Sequence, residues 1–227
     1  MSGGARRRAF ARVLDSVGTA IVAGDLPEGH VDTVDGLIAR TGASRTIVRE
    51  ATRVLVSLGM LTASPRVGLR VTPSSEWDTL DVDVVRWRLA SSGREEQLRD
   101  LLQLRLAIEP EAARIAAGGA SHPEADELAA AGERMVAAAD ARDEEAFLEA
   151  DRRIHGLILS MSANAMFARL QSVVEEALRV RAPHEPVAWA SAPADVELHL
   201  ALITAIRAGD ASGAAEAMSS IVRGSSR

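Results

Sequence analysis

The sequence contains no cysteine, no lysine and no tyrosine, and only 3% of its 227 residues are aromatic. Without cysteine, the protein cannot form disulfides, cysteine-based zinc fingers or a thiol nucleophile. No apolar run approaches the roughly 20 residues that a transmembrane helix needs. The basic start, MSGGARRRAF, is not followed by the apolar core of a signal peptide. We therefore expect a soluble cytoplasmic protein that has no contact with a membrane.

Apolar residues make up 47% of the chain, and alanine and leucine supply most of them. This composition favours packed helices over sheets. Charge is unevenly distributed: residues 1–75 hold ten arginines and six acids, whereas residues 76–227 hold 16 arginines and 26 acids. A basic N-terminal part joined to an acidic C-terminal part suggests that only the N-terminal part contacts nucleic acid. The alternative is a charge drift without functional meaning.

The first 73 residues match the plan of a winged helix-turn-helix domain. Apolar spacing predicts helices over about 6–23 and 33–41, and a third helix that begins at the N-cap residue Ser44 and ends at Gly59. Two short strands, in MLTASP and VGLRVTP, then form a hairpin, or wing, whose turn spans 65–68. In this fold the third helix enters the major groove of DNA.

The polar residues at the start of the third helix suit contacts with DNA. Arg45, Thr46 and Arg49 are predicted to point outward, opposite the apolar stripe. Arginine can bind guanine edges through two hydrogen bonds, and the hydroxyls of Ser44 and Thr46 can bind phosphate or base. Arg66 at the tip of the wing can reach phosphate or the minor groove. The alternative is an arginine-rich, solvated helix face.

Residues 74–80 form a predicted linker, and residues 81–223 form a predicted all-α domain. Pro110 is expected to kink or break the second helix of this region, and Ser121 with Glu124 forms a predicted capping box. The predicted helices span 78–91, 95–117, 123–140, 143–161, 164–181, 194–208 and 211–223. The fold class is therefore mainly α, with a winged helix-turn-helix followed by a helical bundle.

Polar residues interrupt three of the apolar stripes that face the interior of this bundle. They are Arg105, the pair Asp151 and His155, and His199. Buried polar groups need partners, and Asp with His four residues later can bind one metal ion. With His199 from a facing helix, the set suits zinc or a similar divalent ion, and Arg105 suits a carboxylate. The alternatives are a hydrogen-bonded core histidine and a simple intrahelical Asp–His pair.

The run GASRTIVREATRVLVSLGMLTASPRVGLRV resembles the DNA-binding domain of GntR-type bacterial repressors, over residues 8–73. The resemblance implies that Arg45, Thr46 and Arg49 contact the operator and that Gly68 belongs to the wing. One position departs from the family pattern. Asp35 stands where the family has an arginine that touches DNA, so we expect one DNA contact to be missing.

Three later segments, LLQLRLAIEPEAARIAA, ADRRIHGLILSMSAN and LHLALITAIRAGD, resemble the all-α effector domain, of the FCD type, found in the FadR-like branch of that family. The resemblance covers residues 78–222 and implies that the predicted domain over 81–223 serves effector binding and dimerisation. It implies that Asp151, His155 and His199 bind a divalent metal, zinc in the first instance, and that a small carboxylate completes the site. The usual fourth ligand is replaced by Ile221. Either three ligands hold the metal and the effector supplies more, which is the interpretation we prefer, or the metal binds weakly or not at all. Arg105 and Asn164 are the effector-binding residues that we predict.

The expected function is therefore that of a homodimeric, metabolite-responsive repressor that binds palindromic operator DNA and is not an enzyme. The segment EWDTLDVDVVRWRLA resembles a subgroup that responds to sugar acids such as galactonate. One alternative is a metal-dependent hydrolase or lyase that uses Asp151, His155 and His199 to activate water. Another is a metal-free acyl-CoA sensor, or a sensor of a different metabolite, with the same fold.

Overall fold

The computed structural model describes residues 3–119, 122–179 and 192–224. The chain divides into two compact units, Met1–Gln97 and Leu98–Arg227. The described part of the first unit contains helices and a small sheet, and that of the second unit is helical throughout. The predicted fold class, mainly α with a winged helix-turn-helix and a helical bundle, is confirmed.

Residues 3–71 of the first unit combine three helices with a three-stranded antiparallel sheet of order β1-β3-β2. The wing is the β2–β3 hairpin, in which Leu61 pairs with Val71 and Ser64 pairs with Gly68. Sequence analysis did not predict β1, which pairs with the edge of β3 opposite β2. The elements are α1 (Gly3–Val22), β1 (Val31–Asp32), α2 (Val34–Thr41), α3 (Arg45–Ser57), β2 (Leu61–Ser64) and β3 (Gly68–Val71).

Local sequence signals set the ends of α2 and α3 and the tight turn between them. The Thr33 hydroxyl caps α2 by accepting a hydrogen bond from the Gly36 amide, at 3.0 Å. Gly42 ends α2 in the left-handed conformation, with φ of 67°, and so permits the tight turn into α3. Ser44 occupies the N-cap of α3, as predicted, but its hydroxyl makes no capping hydrogen bond. The apolar face of α3 is buried and leaves the opposite face exposed.

The linker region continues the first unit instead of leaving it. Residues 74–76 form a short 3₁₀ turn, and α4 (Val82–Leu89) follows. Trp87 of α4 is buried over Gly18 of α1, and its Nε1 donates to Asp15 Oδ1 at 3.1 Å. The compact units therefore divide between Gln97 and Leu98, later in the chain than the predicted linker at 74–80. The functional boundaries of the two domains stay a prediction.

The contact between Trp87 and Gly18 leads to a first prediction. A Cβ at position 18 would lie 2.6 Å from the rigid indole ring, so we expect Gly18→Ala to lower the free energy of unfolding by about 2 kcal/mol. Urea unfolding followed by tryptophan fluorescence measures this change. Gly4→Ala, in the same helix and with nothing near its Cβ, is the matched control and should cause no loss. Equal stabilities of the two variants would contradict the packing of α4 on α1.

The second unit is a bundle whose core collects buried residues from most of its helices. Helix α5 begins before the division between the units and runs into the second one. The helices are α5 (Arg94–Gly119), α6 (His122–Ala141), α7 (Glu144–Met161), α8 (Ala165–Arg169), α9 (Gln171–Arg179), α10 (Ala192–Ala208) and α11 (Ala211–Gly224).

Two predictions about this bundle are corrected by the structure. Helix α5 runs past Pro110 without the break that was one of the two predicted outcomes, and a kink there stays a prediction. The helix predicted over 164–181 is two helices, α8 and α9, separated at Leu170. The predicted capping residue Ser121 lies outside the described residues. Within the described ranges, every helix is too short or too polar to cross a membrane.

Candidate functional site

Helix α7 presents Asp151 and His155 to the interior of the second unit. The Asp143 side chain caps this helix by accepting from the Ala146 amide at 3.0 Å. Asp151 and His155 lie one turn apart on the face that also buries Ile154. Asp151 is 7% exposed and His155 is 1% exposed. Each is surrounded by protein, so each needs a polar partner.

Helix α10 supplies that partner through His199, which is also buried. His199 Nε2 lies 3.0 Å from Asp151 Oδ1, and His155 Nε2 lies 3.5 Å from the same oxygen. Potential ligand atoms of Asp151, His155 and His199 all lie within 4.8 Å of one another, close enough to share one metal ion. The structure therefore brings together the three residues that the sequence predicted as metal ligands.

The other nitrogen of each imidazole is already engaged. His155 Nδ1 is hydrogen-bonded to Glu109 Oε2, and His199 Nδ1 lies 2.7 Å from the carbonyl oxygen of Asp195. A carboxylate and a carbonyl can only accept, so both Nδ1 atoms carry the proton and donate it. In a neutral imidazole the Nε2 atom then holds a lone pair. Histidines that bind metals typically donate their second nitrogen to such acceptors.

The two Nε2 atoms have no hydrogen-bond partner among the described residues. Although they lie near the Asp151 carboxylate, they are not aligned with it for a hydrogen bond. Two lone pairs and a carboxylate oxygen that converge in a buried space repel one another unless a proton or a metal cation lies between them. This donor set, two nitrogens and one oxygen, suits zinc and related divalent ions.

Glu109 is the functional residue that sequence analysis missed. It lies on α5, is completely buried, and connects His155 to Arg105, whose Nε donates to Glu109 Oε1 at 2.5 Å. Arg105 is 4% exposed, and its Nη2 has no hydrogen-bond partner within the part of the chain that the structure describes. Part of the guanidinium is therefore used inside the protein, and that the remaining terminal nitrogen binds an anion stays a prediction.

Burial and neighbouring charges shift the pKa values of His155, Asp151 and Glu109 in opposite directions. Burial alone would lower the pKa of His155, but the Glu109 and Asp151 carboxylates raise it to about 9. Burial alone would raise the pKa of Asp151, but the two imidazoles hold it well below its ordinary value. Glu109 behaves similarly: His155 and Arg105 outweigh burial and lower its pKa. Both carboxylates are therefore ionised at neutral pH, and His155 is protonated in the metal-free protein, so a metal ion would have to displace its Nε2 proton.

Two further residues considered for the site are Asn164, a predicted effector-binding residue, and Ile221, at the position of the usual fourth metal ligand. Asn164 caps α8, and its Oδ1 accepts from the Met166 amide at 2.9 Å. Its role in effector binding stays a prediction. Ile221 lies on α11, 5% exposed, within the apolar core of the unit. An alkyl side chain cannot bind a metal ion, so this position supplies no fourth ligand.

The predicted DNA-binding residues lie on an exposed face of the first unit. Ser44, Arg45, Thr46 and Arg49 are exposed at the start of α3, and Arg66 is exposed in the turn between β2 and β3. Gly68 begins β3 and pairs with Ser64 across the hairpin. Arg45 also forms an ion pair with Asp35 of α2, a contact that the sequence did not predict. That these residues touch DNA stays a prediction.

Comparisons with known proteins identify the family. Residues 100–224, more than half of the chain, match the FCD domain. The chain is 30% identical to the galactonate operon transcriptional repressor of Escherichia coli (strain K12), over 95% of this chain and 94% of that protein. It is 28% identical to the uncharacterized HTH-type transcriptional regulator YieP of the same organism, over 80% of this chain and 78% of that protein.

A solved structure agrees on the fold. The structure of E. coli McbR/YncC covers 95% of this chain and 94% of its own, with a TM-score of 0.55 and 21% sequence identity. With its first unit built as a winged helix-turn-helix and its second matched by the FCD domain, the chain belongs to the GntR family of transcriptional regulators.

Proposed function

We propose that the protein is a homodimeric repressor whose second unit binds a small carboxylate, a sugar acid, at a divalent metal ion, zinc in the first instance. The observation that carries this proposal is the convergence of two unpartnered imidazole nitrogens on the Asp151 carboxylate. Glu109 and the Asp195 carbonyl support it, since they fix both histidines in the tautomer that a metal ligand requires.

Three protein ligands leave room for a ligand from solution. A bound divalent ion would act as a Lewis acid that accepts a carboxylate oxygen. Asp151, His155 and His199 would hold the ion, and Ile221 adds no fourth donor. Arg105 supports the assignment to a carboxylate because its Nη2 is buried and unpartnered within the described ranges. The guanidinium and the metal would together orient the anion.

The charge of the buried groups favours an effector with a single negative charge. The Arg105 guanidinium offsets the Glu109 carboxylate, and the Asp151 carboxylate offsets half the charge of a divalent ion. With both histidines neutral, one positive charge remains uncompensated, and burying it is costly. A monocarboxylate neutralises the site, whereas a di- or tricarboxylate would leave excess negative charge in it.

The identity of a relative supports a sugar acid. The E. coli protein of 30% identity is described as the galactonate operon transcriptional repressor. An aldonate such as galactonate carries one carboxylate and several hydroxyls, which agrees with the charge argument. A protein that represses transcription acts where the chromosome is, so we assign it to the cytoplasm. As a dimer it would bind two half-sites about one helical turn of DNA apart.

The alternatives are less well supported. A hydrolase would need a general base beside the metal, and Glu109, the further carboxylate that contacts His155, is held by Arg105 and His155. A metal-free acyl-CoA sensor would leave the converging nitrogens of His155 and His199 without a role. An effector that shifts the repressor must bind one conformation better than the other.

A thermal-shift experiment tests the proposal on the full-length protein. The protein is stripped with EDTA, divided, and half is reloaded with Zn²⁺. Each half is melted with D-galactonate, with citrate and with D-galactose, which lacks the carboxylate and serves as the matched control. We expect galactonate to raise the Tm only of the zinc-loaded half, because ligand binding stabilises the folded state. Equal melting of both halves under every condition would remove the metal and the sugar acid from the proposal.

A further inference from the structure

The first unit contains an ion pair between the first turns of two neighbouring helices. Asp35 of α2 accepts a hydrogen bond from Arg45 Nη2 of α3. The side chains are 70% and 60% exposed, so the pair lies on the surface and not in the core. Arg49, one turn further along α3, is also exposed but has no acidic partner among the described residues. The two arginines of this face are thus in different electrostatic states.

The packing of α2 against α3 beneath this ion pair fixes the backbone positions of Asp35 and Arg45. Leu37 of α2 and Ile47 of α3 are buried in the same core. The Thr41 hydroxyl at the end of α2 donates to the Leu37 carbonyl at 2.8 Å and accepts from the Ala43 amide of the turn at 3.4 Å, and so ties the turn to α2. Asp35 and Arg45 are therefore presented at a fixed spacing in the free protein, and only their side chains need to be ordered.

An exposed ion pair contributes little to folding stability. The effect of the Asp35–Arg45 pair is therefore on the groups that Arg45 can bind. A guanidinium has five N–H donors in a planar fork. When a carboxylate holds one side of the fork, another side can still donate two hydrogen bonds to O6 and N7 of guanine. A phosphate, in contrast, would be brought close to the negative charge of Asp35. The pair thus favours a base edge over the DNA backbone as the partner of Arg45.

We propose that Asp35 is a specificity-determining residue, which positions Arg45 to recognise guanine and weakens binding to non-specific DNA. The inference rests on the proposed role of α3 as the DNA-reading helix. Arg45 would make the base contact, and Asp35 would act through it. Arg49, without a carboxylate beside it, is free to bind phosphate or a second base.

The experiment starts by selecting binding sites from a randomised DNA duplex pool with the full-length protein. Fluorescence anisotropy then measures the affinity for the selected site at several salt concentrations. The base pair read by Arg45 is the one whose preference Arg45→Ala loses. For Asp35→Asn we expect the discrimination at that pair to fall about tenfold. We also expect tighter binding to random DNA, with a salt slope steeper by about one.

Two controls separate positioning from simple charge. Asp25→Asn removes one exposed acid elsewhere in the same unit and should leave base discrimination unchanged. In the Arg45→Ala background, Asp35→Asn should leave the preferences at the remaining base pairs of the site unchanged, because its effect passes through Arg45. Wild-type discrimination by Asp35→Asn at the pair read by Arg45, or altered preferences at the other pairs in the Arg45→Ala background, would overturn the inference.

A different set of results would contradict the proposed role of α3 in reading DNA. Arg49→Ala should weaken binding to the selected site at least about fivefold, whatever happens at position 35. If the wild-type protein enriches no sequence, or if Arg49→Ala binds as tightly as the wild type, the role of α3 is wrong, and the inference about Asp35 falls with it. If a site is enriched and Arg49→Ala weakens binding, the result for Asp35→Asn decides the inference alone.

Discussion

Replacement of Asp151 with alanine is expected to lower the affinity of the protein for Zn²⁺ by more than about 100-fold, since even a residue that only orients a ligand is worth 10–100-fold. Asp151 is the one carboxylate among the three proposed ligands, and its Oδ1 lies within 3.5 Å of both Nε2 atoms. Removing it leaves two neutral imidazoles, which hold a divalent ion weakly. Competition with a chromophoric chelator measures the affinity.

The design of this experiment guards against a trivial loss of folding. Asp151→Asn keeps the size of the side chain and removes its charge, so it should also lose most of the zinc affinity. Asp140→Ala replaces an exposed aspartate of the same unit and should bind zinc like the wild type. We expect all three variants to retain operator binding. Undiminished zinc affinity in Asp151→Ala would show that the ion is bound elsewhere.

The second large effect is expected for Glu109→Ala, which should lower the free energy of unfolding by about 3–5 kcal/mol, the usual result of removing one partner from a buried ion pair. The Glu109 side chain is 1% exposed and accepts from both Arg105 and His155. Without it, the guanidinium stays buried beside no counter-charge, and the His155 N–H loses its acceptor. Urea unfolding of the metal-free protein, followed by circular dichroism, measures the change.

A matched control for this prediction lies two residues further along the same helix. Glu111 pairs with Arg114 on the surface, and an exposed pair contributes little to folding stability. Glu111→Ala should therefore cost far less stability than Glu109→Ala. If the two variants were equally stable, Glu109 would not be the buried connection between Arg105 and His155.

The proposed metal ligands could be found from the sequence because helical periodicity alone determines which side a residue faces. Asp151 and His155 are four residues apart on an otherwise apolar stripe, and His199 interrupts another stripe. Polar residues at such positions stand out from the apolar pattern around them. The distances between α7 and α10 could not be predicted, because they depend on how helices far apart in sequence pack.

Glu109 was missed although it is buried more completely than any of the predicted ligands. It is followed by Pro110, a residue that suggests a kink or a break, and α5 continues past both. Arg105, four residues earlier, suits a ligand from solution. Once it is assigned to such a ligand, there is no reason to look for its ion pair with Glu109 in the same helix. A search for i, i+4 charge pairs on inward faces would have found the pair.

The beginning of the second domain was also hard to place. Pro73 and the serines after it have the composition of a linker, yet Trp77 donates from Nε1 to Thr72 and packs against the core of the first unit. Strand β1 has two residues, too few for an alternating pattern to be visible. Composition indicates where regular patterns stop, but tertiary contacts decide which unit a segment joins.

The buried indole over Gly18 has a spectroscopic consequence. The chain has three tryptophans and no tyrosine. Trp77 and Trp87 belong to the first unit, and the third, Trp189, lies outside the described residues. In a Trp189→Phe variant, emission excited at 295 nm therefore comes from the first unit alone. That unit can then be observed optically, without an attached dye, while metal and metabolite are added to the second.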